Sequence, residues 1–445
     1  MVQAKRSQKF GSGDPNKLAA ADRAVHGWYR FVLSFPPHLV RDYVKRFGLD
    51  RRHSVLDPFC GTGTTLVECK RLGIPSLGVE SNPMAHFATR VKTDWSPDPD
   101  RLDEHAASVA KVATAKLESD GFPDEEPLPL FNGRRRHGRN ARTSEPLRLS
   151  AEQEKLLLRH SISPRPLHKT LVLADCLKQY RDDRFADHES LALARALVHS
   201  ISNLHFGPEV GVAPAKRDAA VVGPWLTEVK AMVRDLREVN GLRHAPSRVF
   251  RADARIVPDE IEPRSIDAVI TSPPYPNEKD YTRTTRLESV ILGFLSDKAD
   301  LRALKEGLMR SNTRNVFKDD RDDEWVEQNP TIQRIAEEIE ARRIELGKTS
   351  GFERMYHRVT KHYFGGMARH FAGLRRVLRP GAQLAYVVGD QASYFRVLIR
   401  TGKLLGEIAE SLGYELVGID LFRTRLATAT RSKLREEVVR LRWPK

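Results

Sequence analysis

Apolar residues recur at helical spacing through residues 17–52, first in LAAADRAVHGWYRFVLSF and again in HLVRDYVKRFGL, with Phe35-Pro36-Pro37 between the two runs. The rhythm then changes to short apolar runs that predict strands at 53–57, 74–80, 247–251, 266–271, 382–388, 414–421 and 437–443. Helical patterns at 64–72, closed by Gly73, and at 83–91 separate the first of these. Further helices are predicted at 366–379, ending at Arg379-Pro380-Gly381, and at 403–412. Strand, glycine loop, helix, strand and terminal acid in that order open a doubly wound parallel α/β sheet.

Two stretches interrupt the sheet pattern. Residues 96–245 show helix-like periodicity near 152–180, 188–204 and 222–240, with no sustained strand alternation and a polar segment at 131–149. Residues 281–365 are helical and highly charged. The reading is therefore one α/β unit of about seven strands, assembled from 1–95, 246–280 and 366–445, with two largely helical insertions at 96–245 and 281–365.

Composition narrows this picture. The chain has 445 residues, 40% of them hydrophobic, which is ample for a packed core and excludes disorder as the main state. No run of 18 or more apolar residues predicts a membrane helix, and the N-terminal residues lack the apolar stretch of a secretory signal. Three cysteines, Cys60, Cys69 and Cys176, are too few for a disulfide framework and fit a reducing cytoplasm. No CxxC or HExxH spacing offers a metal site, and His357 and His362, five apart, read as ordinary helix-surface residues. Seventy-four Lys and Arg against 59 Asp and Glu give a net charge of +15, which favours a polyanionic partner.

Candidate chemistry begins at Asp57-Pro58-Phe59-Cys60-Gly61-Thr62-Gly63. Glycines after a strand let backbone approach a ligand closely, and the helix that follows supplies free N–H groups. The lysine and spacing of a phosphate-binding P-loop are absent, and Leu66 stands where a dinucleotide fingerprint has its third glycine. Glu80, ending the next strand, can accept the ribose hydroxyls of a nucleoside. Asp253, ending the third, can accept from an adenine amino group, although a turn or helix-capping aspartate would look the same.

The sharper motif is Thr271-Ser272-Pro273-Pro274-Tyr275, directly after the apolar strand IDAVI. Two prolines remove two donors and fix the backbone, so neighbouring carbonyls point outward. Such a carbonyl and Ser272 can accept hydrogen bonds from an exocyclic amino group, while Tyr275 offers a face for a flipped-out base to stack on.

Together DPFCGTG and TSPPY resemble the S-adenosylmethionine-dependent amino-methyltransferases of DNA, and SPPY is most similar to the branch acting on cytosine N4. TSPPYPNEKDYTR and HGWYRFVLSFPPHLV carry the same likeness. The resemblance implies a class I methyltransferase fold and S-adenosylmethionine as cofactor. It implies that Asp57, Phe59, Gly61 and Gly63 surround the methionine part, that Glu80 holds the ribose and that Asp253 lies beside the adenine. The Phe35-Pro36-Pro37 region would close over the methionine end. Ser272, Pro273, Pro274 and Tyr275 would form the catalytic loop, and no covalent intermediate is needed, since the Pro-Cys pair of a C5-cytosine enzyme is absent. Residues 1–95, 246–280 and 366–445 then form the catalytic domain, and 96–245 is the candidate target-recognition region. Double-stranded DNA is the implied partner, with room for a cognate restriction endonuclease.

Other readings on the same fold are adenine N6 or RNA as target; from another class comes a non-catalytic nucleic-acid-binding protein, against which both motifs are intact. For gripping phosphates the acid-free run RTRLATATRSKLR, with Arg423, Arg425, Arg431, Lys433 and Arg435, is expected as a loop near Tyr275. The clusters Arg134–Arg139 and Arg310–Arg314 are further candidates. The charge excess lies at the chain's two ends: fifteen basic against eight acidic residues in 1–95, and fifteen against seven in 366–445.

Overall fold

The computed structural model describes residues 18–31, 34–125, 145–206, 209–242, 245–277, 279–426 and 433–444. The predicted sheet strands are all present. They are β1 (Val55–Asp57), β2 (Ser76–Val79), β5 (Ser247–Phe250), β6 (Ile266–Thr271), β7 (Leu378–Gly389), β8 (Glu415–Leu426) and β9 (Lys433–Arg442), with a small β3–β4 hairpin (Leu204–Phe206, Val210–Val212) between β2 and β5 in sequence. The seven-stranded sheet runs β5-β2-β1-β6-β7-β9-β8. Only β9 runs against its neighbours. The order reverses between β1 and β6, so the C-terminal ends of these two strands open a crevice where α/β sheets bind ligands.

Helix α1 (Pro37–Arg46) and helix α2 (Thr64–Arg71) cover one face of the sheet, where Leu39, Val40 and Tyr43 meet Val55, Ile270 and Val387. On the other face α13 (Tyr356–Leu374) and α14 (Thr401–Ser411) bury Phe371, Leu374 and Leu404 against Leu56, Val269 and Leu384. Helix α3 (Pro83–Lys92) starts sharply because Asn82 caps it, accepting from the N–H groups of Met84 and Ala85, and proline occupies its first position.

Both insertions are helical. The first carries α4 (Pro99–Ser119), α5 (Ala151–Leu156), α6 (Pro164–Gln179), α7 (Ala186–Ala196) and α8 (Val222–Val239). The second carries α9 (Tyr281–Thr284), α10 (Arg286–Ile291), α11 (Lys298–Glu306) and α12 (Pro330–Glu345). They share more than the sequence suggests: Leu287, Val290 and Leu304 of the second insertion join one core with Trp28, Phe87 and the helices of the first. Among the described residues, no helix is long and apolar enough to cross a membrane.

Several local expectations are corrected. Residues 18–31 and 34–36 are not a helix: they hold two short 3-10 turns, Ala20–Asp22 and His26–Trp28, and otherwise irregular chain. Val25 at φ 64° breaks the helical path, and burial of Val25, His26, Trp28 and Tyr29 mimics the helical period. Helix α13 begins ten residues earlier than expected and ends at Leu374, so Arg379-Pro380-Gly381 falls inside β7. Helix α4 was hidden behind the Pro/Asp punctuation, which is its own cap: Asp98 accepts from Asp100 and Arg101, and Pro99 begins the helix. The β3–β4 hairpin is a strand pair where none was read. His362 is fully buried rather than on a helix surface, its ring 3.5 Å from Asp323.

Candidate active site

The glycine loop between β1 and α2 is shaped by what lies behind it. Gly63 has φ 83°, and a side-chain carbon there would stand 2.9 Å from Thr89, so only glycine lets the loop close against α3. Thr89 donates its hydroxyl to the Gly61 carbonyl at 2.7 Å. Glu80, leaving β2, accepts from the Gly61 N–H at 2.9 Å and from the Asn82 N–H at 2.7 Å. The strand-end acid therefore fixes the loop while keeping an edge on the crevice. Burial pushes its carboxyl up to about 7, against the pull of those two N–H groups.

Asp57 sits deeper. It is fully buried, and its Oδ1 accepts from the Thr271 hydroxyl at 2.6 Å and the Phe59 N–H at 3.1 Å. This ties the glycine loop to the strand that carries the second motif. Desolvation raises its carboxyl to about 6.

At the end of β6, Ser272 donates its hydroxyl proton to the Val387 carbonyl at 3.1 Å. Ser272 also bonds the Tyr275 phenol, and its remaining lone-pair capacity can accept from a ligand. Tyr275 packs over the backbone of Gly389, where an added carbon would stand 3.1 Å from the ring. Burial and the neighbouring Glu436 hold its phenol well above its ordinary range, so it stays neutral.

These pieces face one cavity of about 650 Å³, within the usual range for small-ligand sites. Phe59, Gly61, Glu80, Ser272, Pro273, Pro274 and Tyr275 all line it, as do Phe35 and Pro36. Three predicted residues stand behind the wall. Asp57 and Gly63 shape the loop, and Asp253 is taken up by Arg255, at 2.6 Å from its Nη2, leaving the neighbouring Ala254 to face the cavity. Arg255 also reaches the buried Asp322 and the Glu306 carbonyl.

The basic run between the last strands is not the free loop expected. Arg423 and Arg425 lie on β8, Lys433 and Arg435 on β9, and Arg431 lies outside the described residues. Arg423 and Arg425 do line the cavity near Tyr275, both paired with Glu436, at 2.5 and 3.3 Å. Arg435 is tied to Glu437 at 2.7 Å, whereas Lys433 is exposed. Arg134–Arg139 also fall outside the described residues. Arg310 is a structural residue, buried against Asp320 and three carbonyls, while Arg314 is exposed.

Sequence reasoning missed one wall. The turn after α11 supplies Leu308, Met309, Ser311, Asn312 and Asn315. It clamps the catalytic-loop candidate from outside: Asn277 donates its N–H to the Ser311 carbonyl at 3.2 Å, and Asn312 Nδ2 donates to the Lys279 carbonyl at 3.1 Å. His370 was missed too. It is fully buried, bonded to the Ala254 carbonyl at 2.6 Å and the Tyr386 hydroxyl at 2.7 Å, with its ring against Phe59. The one available signal was the capping pattern Asn312-Thr313-Arg314-Asn315, which says turn but not cavity.

Residues 9–89 match a family model described as DNA methylase, covering N6 and N4 enzymes. The chain is 25% identical over 460 residues to the Type II methyltransferase M.BsoBI of Geobacillus stearothermophilus, covering 94% of this chain and 83% of that protein. It is 23% identical to the Type II methyltransferase M.AvaI of a Nostoc species, over 92% of this chain and 82% of the relative. A 68-residue stretch is 38% identical to the Type II methyltransferase M.MjaII of Methanocaldococcus jannaschii.

Proposed function

We propose that this chain, which belongs to the S-adenosylmethionine-dependent DNA amino-methyltransferases, methylates the N4 amino group of a cytosine flipped out of duplex DNA. Bound in the cavity, the cofactor supplies an electrophilic methyl group on a sulfonium centre. Its half of the cavity is the glycine loop, Glu80 and the Phe35-Pro36 segment; the shape and the acceptor carboxylate fit a nucleoside with vicinal hydroxyls. Asp57 and Asp253 act through the residues they hold.

The observation that carries the reading is Ser272. With its proton on the Val387 carbonyl, the Ser272 oxygen, which also bonds the Tyr275 phenol, has lone pairs that can accept from an amino group in the cavity. An amino group donating to Ser272 and to an outward carbonyl of the proline pair keeps its lone pair toward the methyl group. Those acceptors also stabilise the charge that develops on the nitrogen as it attacks. Tyr275 supports the base by stacking, with its phenol kept neutral. No nucleophile is required of the protein. Cys60 is buried under the loop with its thiol held protonated by burial and by Glu80, consistent with packing.

Serine at the head of the Pro-Pro-Tyr motif supports cytosine N4 over adenine N6. The relatives' Type II designation supports a place in restriction–modification, with a cognate endonuclease as partner. The test is transfer of labelled methyl from S-adenosylmethionine to unmethylated genomic duplex DNA, followed by nucleoside analysis. Label in N4-methyldeoxycytidine is expected. Label in N6-methyldeoxyadenosine, in RNA only, or nowhere despite bound cofactor refutes the assignment.

A further inference from the structure

Lys92, the last residue of α3, is buried to 1% exposure. Its Nζ donates to the Thr62 carbonyl at 2.6 Å and to the Tyr29 carbonyl at 3.2 Å. Among the described residues no carboxylate pairs with it, and Arg30 and Arg195 oppose its charge. Burial and those two cations push the ammonium down to about 7. A buried amine without a counter-ion is costly, and a methionine would fill the same space without that cost.

What the lysine joins gives the reason. Thr62 belongs to the glycine loop and lines the cavity, while Tyr29 precedes the segment whose Phe31, Ser34 and Phe35 form the facing wall. Helix α3 holds the loop at three points along its length. At its start, the Glu80 that accepts from Asn82 also accepts from Gly61; near its end Thr89 bonds the Gly61 carbonyl; and at its last residue Lys92 bonds Thr62. Of the three, Lys92 is the one that also grips the facing segment. Tyr29 is fixed in turn by its hydroxyl, which donates to the buried Glu288 of α10 at 2.6 Å.

We propose that Lys92 is a positioning residue for the methyl donor, pinning the glycine loop to the segment opposite and so setting the width of the cofactor half of the cavity. This rests on the reading that the cavity holds S-adenosylmethionine. K92M removes the donors and the charge at similar volume. It should raise both the Kd and the KM for S-adenosylmethionine about tenfold, the scale of one lost charge-assisted hydrogen bond, with kcat at saturating cofactor and KM for DNA retained. K92R, which keeps cation and donors, should restore the KM for cofactor to within about threefold of the parent. A lysine serving stability alone predicts the reverse split: a smaller active fraction, hence lower kcat, at unchanged KM. That result, or K92M binding cofactor as the parent does, overturns the proposal. If K92M does not fold, K92Q is measured in the same way, and failure of both to fold also overturns it by making Lys92 a folding residue. E80Q is the control for the underlying reading. If E80Q weakens cofactor binding and K92M does not, the pin alone fails; if E80Q has no effect, the cavity assignment fails.

Discussion

If Glu80 holds the ribose as proposed, cofactor affinity should depend on pH. Glu80 is held near pKa 7 because burial outweighs the two N–H groups, from Gly61 and Asn82, that favour its charged form. Ribose hydroxyls donate best to the carboxylate, so the binding-competent fraction is roughly one tenth at pH 6 and roughly nine tenths at pH 8. Affinity for S-adenosylmethionine should rise about tenfold over that interval, or about 1.4 kcal/mol. Titration calorimetry from pH 5.5 to 8.5 at fixed ionic strength measures it. Subtracting the E80Q profile removes titration of the ligand itself. A difference profile that is flat, or that falls with pH, would refute the reasoning. The ligand-free fold responds in the opposite direction. Glu80 and Asp57 both have raised folded pKa values, so the fold is favoured while they are protonated, and that contribution is lost as pH rises from about 4 to about 7.

Three further outcomes are expected. Tyr275→Ala should lower single-turnover methyl transfer by about tenfold or more, the scale of one lost base–aromatic stack, with cofactor affinity unchanged by calorimetry. Arg255→Leu leaves the buried Asp322, now 2.5 Å from the guanidinium, with only Arg369 at 3.3 Å, and should cost about 2–3 kcal/mol in urea unfolding. Lys433→Gln should weaken DNA binding and reduce the slope of log affinity against log salt by about 0.9, whereas Arg435→Gln should change it less because Glu437 already holds that charge.

The strands were legible because each is an apolar run bounded by turn residues, and a parallel sheet buried on both faces leaves that signature in the sequence. The two motifs were legible for a related reason: loops at strand ends owe their shape to local glycine and proline. What failed was set by distant partners. Residues 18–36 have a helical period in sequence, yet Val25, Trp28 and Tyr29 are buried in one core with helices of the first insertion. Arg310 and Arg314 share one pentapeptide, but the first is consumed by Asp320 and the second is exposed. Asp253, by contrast, is bonded by a near neighbour, Arg255 two residues on, and lies behind the cavity wall. The charge excess at the two chain ends likewise divides in three dimensions: Arg423, Arg425 and Arg435 have carboxylate partners, and Lys433 stands exposed.

The central claim is that one cavity, between the glycine loop and Ser272–Tyr275, receives both the methyl donor and the target amino group. A crystal structure of the protein with S-adenosylhomocysteine tests it most directly. The ribose is predicted on Glu80, with the sulfur directed toward Ser272 and Tyr275. Cofactor bound outside this cavity, or bound with its sulfur turned away from the Ser272–Tyr275 loop, would contradict the account.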